Sequence, residues 1–125
     1  MGLDAVGIVS KDIPRTIRFY ALLGLDLEEC GGSGHFEAAT DGGLRVMVDS
    51  VDLIKQIQPD WHTPSGSGIT LCFLQESPAA VDELHTRILQ AGFESLKEPW
   101  DAFWGQRYAS VKDPDGNQID LFASL

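Results

Sequence analysis

The amino-acid sequence predicts an α+β domain built from two copies of one motif, in which a strand and a helix are followed by three further strands. Three observations carry this prediction. Strand and helix patterns follow one another in the same order in both halves of the chain. Each predicted helix ends at a glycine, Gly24 and Gly92, and an Asp-Gly turn precedes the last strand of each half, Asp41-Gly42 and Asp115-Gly116. Two copies are too few for a solenoid, so the repeat predicts a pseudo-two-fold domain with a site between its halves.

The first copy is predicted over residues 1–50. Asp12 is a typical helix cap, and Pro14 suits the first turn of the helix that follows. Apolar residues recur in that helix at three- and four-residue spacing, namely Ile13, Ile17, Tyr20 and either Phe19 or Leu23. The strands of this copy are predicted at residues 3–9, 25–30, 35–40 and 44–49.

A linker is predicted over residues 51–66, because Pro59 and Pro64 break the pattern and leave room for one helical turn. The second copy is predicted over residues 67–125. Ser77 and Pro78 open its helix, whose apolar stripe is Val81, Leu84, Ile88 and Ala91. Its strands are predicted at residues 69–74, 93–97, 107–111 and 118–123.

Composition predicts a single globular domain. A chain of 125 residues with 43% hydrophobic residues fits one compact domain over residues 1–125 and excludes a disordered tail. The first residues lack the basic and apolar regions of a signal peptide, which predicts a cytoplasmic protein. The two cysteines, Cys30 and Cys72, fall inside predicted strands and are expected to be buried free thiols.

The excess of acidic residues indicates which partners the protein can bind. Nineteen acidic and nine basic side chains give a formal net charge of −10, which opposes binding to nucleic acid or to anionic membranes. A negative field of this size raises the local concentration of cationic small molecules, although solubility is its commoner role.

Two stretches resemble a known family. Residues 9–20, VSKDIPRTIRFY, with Leu23-Gly24-Leu25 resemble the first helix of the vicinal oxygen chelate superfamily, which includes glyoxalases, bleomycin resistance proteins and extradiol dioxygenases. Residues 104–108, WGQRY, and 113–117, DPDGN, resemble its last hairpin. The resemblance implies two βαβββ modules whose curved mixed sheets enclose a cavity, usually in a homodimer.

In metal-dependent members, the resemblance implies a divalent ion held by His and Glu side chains from four strand positions. Those positions correspond here to Ala5, a residue within 44–48, Gly68 or a close neighbour, and Asp120. Only the last has a ligating side chain, and one carboxylate is too few to hold the ion, so we expect a member without a metal or other cofactor. No two histidines share a ligand spacing, and each is expected to be a surface or core side chain: His35, His62 and His85.

Metal-free members of the resembled family include antibiotic-binding proteins, whose pockets stack planar ligands on aromatic rings. All three tryptophans, Trp61, Trp100 and Trp104, fall in predicted loops. A large ring in a loop often covers a cleft, so they are candidate ligand contacts. The alternative is that they cover sheet edges or a dimer interface.

Asp120 is the candidate polar residue of the ligand site. Strand alternation places it on one face with Gln118 and Phe122, and a carboxylate there needs a partner. Arg107 on the neighbouring strand or a cationic ligand could serve, and a purely structural pair between Asp120 and Arg107 is the alternative. Two further candidates, Phe36 and Met47, are expected either to line the wall of the first module or to pack in its core.

No catalytic residues are predicted, because the sequence has no nucleophile arrangement and no phosphate loop; residues 31–34, GGSG, are expected to be a flexible hairpin loop. The leading hypothesis is a metal-independent protein that binds a planar or cationic small molecule, such as an antibiotic that it sequesters. The alternative is a glyoxalase-like lyase or isomerase with an altered metal site, or with Asp120 as a general base. A third possibility is a domain with an interaction role alone.

Overall fold

The computed structural model describes residues 1–64 and 68–125 and divides into two compact units, Met1–Pro64 and Ser65–Leu125. The first unit contains β1 (Ala5–Ser10), α1 (Ile13–Leu22), β2 (Glu28–Glu29), β3 (His35–Ala39), β4 (Arg45–Ser50) and α2 (Val51–Ile57). The second contains β5 (Thr70–Leu74), α3 (Pro78–Gln90), β6 (Ser95–Ala102), β7 (Gln106–Lys112) and β8 (Gln118–Ser124). The α+β class is confirmed, and that residues 1–125 form one domain stays a prediction.

The two units repeat the same sheet topology. The strand order is β1-β4-β3-β2 in the first sheet and β5-β8-β7-β6 in the second. In each sheet the first and last strands of the unit pair in parallel, and the other neighbours pair antiparallel. The predicted βαβββ repeat is therefore confirmed as two four-stranded mixed sheets, each formed within its own unit.

The helix ends agree with the capping residues that the sequence offers. The Asp12 carboxylate accepts a hydrogen bond from the Arg15 N–H at 3.2 Å, and the Ser77 hydroxyl accepts one from the Ala80 N–H at 3.1 Å. The chain leaves α1 through Gly24 at a positive φ of 82°, which a glycine adopts without strain.

Both longer helices contribute buried side chains, and α3 packs against β6, β7 and β8 of its own sheet. In the first unit the fully buried Phe19 and Tyr20 of α1 contact edge to face, with ring centroids 5.1 Å apart. In the second unit fully buried side chains come from α3, β7 and β8, namely Val81, Ile88, Ala109, Val111, Ile119 and Leu121. These apolar positions fall at the helical and alternating spacings that the sequence predicts.

Several element boundaries differ from the prediction. β2 has only two residues and begins later than predicted; the Leu25 N–H donates to the Tyr20 carbonyl at the end of α1 and is therefore not part of the sheet. Helix α2 occupies residues 51–57 of the predicted linker, with Ser50 as its cap. Residues 65 and 66 of the linker and residue 67 of the second predicted module lie outside the described residues.

The Asp-Gly turns of the two units correspond with an offset of one residue from the prediction, which matched Asp41-Gly42 with Asp115-Gly116. The Gly43 N–H donates to the Thr40 carbonyl as the Gly116 N–H donates to the Asp113 carbonyl, and the two glycines have φ of 89° and 88°. Asp113 therefore corresponds to Thr40. The predicted match of Asp41 with Asp115 is wrong, because the positive-φ glycine and not the aspartate fixes the register of the turn.

The prediction of two buried thiols is also wrong, since Cys30 and Cys72 are both exposed. Cys30 follows the short β2. Cys72 lies in β5, a terminal strand of its sheet, and shares a face with Asp120, its partner across the β5–β8 pair.

Residues 1–64 and 68–125 include no helix long and apolar enough to cross a bilayer.

His85 makes folding stability depend on pH. It is buried on α3, its Nε2 lies 2.7 Å from the Ser95 hydroxyl, and burial lowers its pKa, opposed by Glu98 and Asp82. The unfolded chain therefore takes up this proton at a higher pH than the folded chain does. His85 should leave stability intact above about pH 6.5 and reduce it as the pH falls further.

We expect His85→Gln to weaken the loss of stability between pH 7.5 and pH 5. Urea denaturation at several pH values measures this difference between variant and wild type. His62→Gln, which removes an exposed histidine, is the matched control. An unchanged pH dependence in His85→Gln would contradict the assignment.

Candidate functional site

Strand alternation gives the second sheet two chemically different faces. Ala109, Val111, Ile119 and Leu121 point to the buried side, where α3 contacts β7 and β8. We call the opposite face the Asp120 face. Its side chains from β5, β7 and β8 include Cys72, Tyr108, Ser110, Gln118, Asp120 and Phe122. The predicted position of Asp120 opposite the helix-packed face is therefore correct.

The Asp120 carboxylate is 7% exposed and accepts three hydrogen bonds from neutral donors. The Tyr108 hydroxyl donates to Oδ2 at 2.7 Å, and the Ser110 hydroxyl donates to Oδ1 at 2.7 Å. The Gln118 amide also donates to Oδ1, at 3.0 Å. Within residues 1–64 and 68–125, no Lys, Arg or His forms an ion pair with Asp120.

The neighbours of Asp120 stay neutral near pH 7. Burial, and then the hydrogen bond to Asp120, raises the pKa of the Tyr108 hydroxyl far above its usual range. Partial desolvation of the Cys72 thiol, and then the nearby Asp120 carboxylate, raise its pKa as well, although the residue as a whole is exposed. Tyr108 therefore acts as a hydrogen-bond donor, and none of these groups contributes a compensating positive charge.

Five aromatic rings continue this face toward the β6–β7 turn, and we call them the aromatic strip: Trp100, Phe103, Trp104, Tyr108 and Phe122. The Trp104 ring contacts three of the other rings edge to face, with centroids 5.5 Å from Trp100, 4.9 Å from Phe103 and 5.3 Å from Tyr108. Tyr108 then stacks on Phe122 at 6.0 Å. The strip thus begins at the turn and ends beside Asp120.

The tryptophans of the strip differ in exposure. Trp104 lies in the β6–β7 turn, is 49% exposed and donates its indole N–H to Gln106 at 2.8 Å. The Trp100 indole N–H is buried and has no hydrogen-bond acceptor in the described part of the chain. The Lys97 ammonium lies 4.5 Å from the centre of the Trp100 ring, so this ring already binds a cation.

The prediction that Trp100 lies in a loop is wrong, because β6 extends through Ala102. Pro99 lies inside this strand, where the sequence pattern ended the strand too early. β6 is a terminal strand with irregular register between Lys97 and Trp100, and such strands tolerate a proline.

The predicted pairing of Asp120 with Arg107 is also wrong. Arg107 donates to the Asp82 carboxylate at 2.9 and 3.3 Å and to Asp101 at 3.0 Å. It precedes Tyr108 in β7, so alternation directs it to the face that α3 covers, away from Asp120. The two carboxylates raise its pKa further, and Arg107 has a structural role within the second unit.

The candidates of the first unit do not form one wall. Phe36 pairs across the sheet with Val48 on the buried face, whereas Met47 pairs with Glu37 on the opposite face. Phe36 and Met47 therefore do not line one wall together, and the position of Phe36 agrees with the alternative of packing in the core. Trp61 lies in the loop after α2, as predicted, beside an open cavity of about 340 Å³ formed by residues 58–62.

The face of the first sheet that holds Met47, which we call the Met47 face, also carries charged residues that the sequence did not indicate as a group: His35, Glu37, Arg45 and Asp49. His35 Nδ1 lies 2.5 Å from an Asp49 oxygen, and His35 Nε2 lies 2.7 Å from Glu37. Arg45 donates to the other Glu37 oxygen at 2.6 Å and to Asp4 at 2.5 Å. These residues alternate in β3 and β4, a period-two signal that could have grouped them on one face.

Mutual hydrogen bonding sets the charges in this group. Glu37 first, and then Asp49, raises the pKa of His35. Hydrogen bonds from His35 and Arg45 lower the pKa of Glu37. Donor atoms of Cys30, His35 and Glu37 lie within 4.8 Å of one another, so this part of the first unit has a set of potential metal ligands.

The sequence model of the Glyoxalase/Bleomycin resistance protein/Dioxygenase superfamily matches residues 2–121. The chain belongs to this superfamily. No curated protein matches it.

Solved structures of the superfamily share its fold. A glyoxalase/bleomycin resistance protein/dioxygenase family enzyme of Burkholderia phytofirmans PsJN is 23% identical over 100% of both chains, with a TM-score of 0.87. A glyoxalase-related enzyme of Fulvimarina pelagi is 18% identical, covering 98% of this chain and 88% of that chain, with a TM-score of 0.84. A lactoylglutathione lyase of Agrobacterium tumefaciens is 16% identical, covering 98% and 92%, with a TM-score of 0.69.

The residues at the superfamily's metal positions do not fit a divalent ion. Ala5 has no ligating side chain, Gly68 and its neighbour Ile69 have none either, and residues 44–48 include no His, Asp or Glu. The fourth position is Asp120, whose two carboxylate oxygens already accept hydrogen bonds from Tyr108, Ser110 and Gln118. One carboxylate falls short of the three protein ligands that catalytic sites generally have.

Proposed function

We propose that this member of the superfamily binds planar, cationic small molecules without a metal, and that the Asp120 face with its aromatic strip is the binding surface. The main support is that the buried Asp120 carboxylate, among residues 1–64 and 68–125, has only neutral partners and lies at the end of a row of aromatic rings.

The carboxylate supplies the preference for a cation. A buried charge is costly unless a partner of opposite sign or enough hydrogen bonds compensate it. A carboxylate has about four acceptor positions, and three donors occupy Asp120. One position is left for a ligand N–H, and a ligand cation would supply the charge that the neutral donors lack.

The aromatic strip supplies the preference for a planar group. Tyr108 stacks on Phe122, and the half-exposed Trp104 offers a further ring surface at the turn. Aromatic faces attract both flat rings and cations. The formal net charge of −10 attracts cations over longer distances.

Sequestration is the form of binding that we propose, and an antibiotic is one ligand of suitable chemistry. Tyr108 occupies one Asp120 oxygen, and Ser110 and Gln118 occupy the other. A general base needs an oxygen directed at the substrate proton. The one acceptor position that remains suits a hydrogen bond from a ligand N–H, and we propose that the face holds its ligand without reacting with it.

Tryptophan fluorescence can test this proposal with a planar aromatic cation and a neutral molecule of the same shape. We expect the cation to bind more tightly, and Asp120→Asn to weaken its binding roughly tenfold with little effect on the neutral molecule. Trp104→Ala should weaken both, because it removes stacking area. Glu83→Gln removes an exposed charge on α3 and is the matched control. Equal binding of both molecules, or full affinity for the cation in Asp120→Asn, would refute the proposal.

We also propose that the protein is a cytoplasmic homodimer that binds neither nucleic acid nor membranes. The superfamily resemblance supports the dimer, and the negative charge supports the two exclusions. Multi-angle light scattering of the purified protein measures the oligomeric state.

A further inference from the structure

A cysteine, a histidine and a glutamate meet on the Met47 face of the first unit. One donor atom from each of Cys30, His35 and Glu37 lies within 4.8 Å of the other two. His35 and Glu37 are half-buried, and Cys30 is exposed. Thiolate, imidazole and carboxylate are the three side-chain groups that bind Zn²⁺ in proteins.

The β2–β3 hairpin brings these ligands together. The Cys30 N–H donates to the His35 carbonyl at 2.9 Å, which closes the hairpin around residues 31–34. Gly34 has a φ of 87°, and a Cβ at this position would lie 2.7 Å from the Ser50 hydroxyl oxygen. A glycine at position 34 therefore lets the loop pass close to Ser50. The hairpin that this loop closes places Cys30 beside His35.

Further residues hold the ligands in position. Asp49 lies 2.5 Å from His35 Nδ1, which leaves Nε2 directed toward Glu37. Metal-bound histidines almost always contact a carboxylate, carbonyl or water through the second ring nitrogen, and this contact fixes the ring. Arg45 donates to Glu37 Oε1 at 2.6 Å and leaves Oε2 beside His35.

We propose that Cys30, His35 and Glu37 form a Zn²⁺ site, with Cys30 Sγ, His35 Nε2 and Glu37 Oε2 as ligands. The distance from Nε2 to Oε2 is 2.7 Å, and bonds of about 2.0 Å in tetrahedral geometry require roughly 3.3 Å. A small rotation of the Glu37 carboxylate provides this difference. Three protein ligands leave a fourth position for water or a small molecule, as in catalytic zinc sites.

This site does not use the superfamily's four metal positions. Its ligands come from β3 and from the residue after β2. It is also independent of the proposed ligand binding at Asp120, because that residue supplies no ligand to it. The two proposals can therefore fail separately.

The purified full chain should retain about one zinc per protein after incubation with Zn²⁺ and desalting, measured by elemental mass spectrometry. Cobalt substitution should give the thiolate-to-cobalt charge-transfer absorption that a cysteine ligand produces. Cys30→Ser should abolish that absorption and weaken zinc binding roughly 100-fold. Asp49→Asn, which alters only the support of His35, should weaken it roughly tenfold to 100-fold.

Matched controls use the same residue types elsewhere in the chain. Cys72→Ser changes the other exposed cysteine, His62→Gln an exposed histidine, and Asp120→Asn the proposed ligand site. All three should bind zinc as the wild type does, and circular dichroism verifies that each variant is folded. Failure of the wild type to retain zinc, or equal retention by folded Cys30→Ser, would overturn the proposal. Loss of zinc in Asp120→Asn would place the metal elsewhere and overturn it too.

Discussion

Leu121→Ala is expected to lower the free energy of unfolding by about 2–5 kcal/mol, because it leaves a cavity in the core of the second unit. Leu121 lies in the middle of β8 and is 0% exposed. Its cross-strand partner Ala109 is also 0% exposed, and a small partner cannot fill the space that a leucine leaves. Urea denaturation monitored by circular dichroism measures the change.

Asp120→Asn, one residue away on the same strand, is the matched comparison. It keeps the shape of the side chain and at least one acceptor oxygen for Tyr108 or Ser110. We expect a stability loss of about 1–2 kcal/mol, smaller than that of Leu121→Ala. Its main effect should be on the binding of cations. A larger loss of stability in Asp120→Asn than in Leu121→Ala would contradict the assignment of the two faces of β8.

The repeated topology could be predicted from sequence because its signals are local. A capping side chain, a glycine after the last helical turn and alternating apolar residues are each visible within a few positions, as around Asp12, Gly24 and Ile119. The resemblance implied mixed sheets, but the parallel pairing of β1 with β4 and of β5 with β8 is known only from the structure.

Two of the wrong predictions concern terminal strands, where the position of a strand in its sheet outweighs its own sequence. Pro99 predicts the end of a strand, but a terminal strand such as β6 can hold a proline, and Trp100 therefore lies in the sheet. The sequence likewise predicts a buried Cys72, whereas the terminal strand β5 leaves its thiol exposed. Local patterns do not tell which strand is terminal.

The candidate site was predicted in part. Alternation alone located Asp120 on the correct face and indicated Phe122 beside it. Its partners were missed because cross-strand register decides them: Ser110 lies opposite Asp120, and Tyr108 lies opposite Phe122. Applying the same alternation to β7 would already have directed Arg107 to the other face.

The potential zinc ligands were missed for a related reason. The three histidines share no ligand spacing with one another, but His35 approaches Glu37 two positions along the strand and Cys30 across a hairpin. A strand places residues i and i+2 on one face, so a mixed set of ligand types at this spacing is worth examining in any sheet.

The DPDGN turn, which contributed to the recognition of the superfamily, has its own structural explanation in Asp113. This carboxylate is 4% exposed. Its Oδ1 accepts hydrogen bonds from the Asp115 and Asn117 backbone N–H groups at 2.9 and 2.8 Å, and its Oδ2 accepts one from the Asn117 amide at 2.8 Å. One side chain therefore satisfies the donors of the hairpin that joins β7 to β8.

Asp113→Ala is accordingly expected to lower the free energy of unfolding by about 2–3 kcal/mol. Hydrogen bonds to a charged group contribute more than neutral ones, and three half-buried donors would lose their acceptor. Asp113→Asn should cost less, because its remaining oxygen can still accept from the two backbone N–H groups while its NH₂ faces the Asn117 amide. Asp41→Ala, at an exposed aspartate in the corresponding turn of the first unit, should change stability by less than about 0.5 kcal/mol. Urea denaturation of the three variants measures these differences. Equal effects of Asp113→Ala and Asp41→Ala would mean that the glycine at the positive-φ position, and not the buried carboxylate, stabilises each turn.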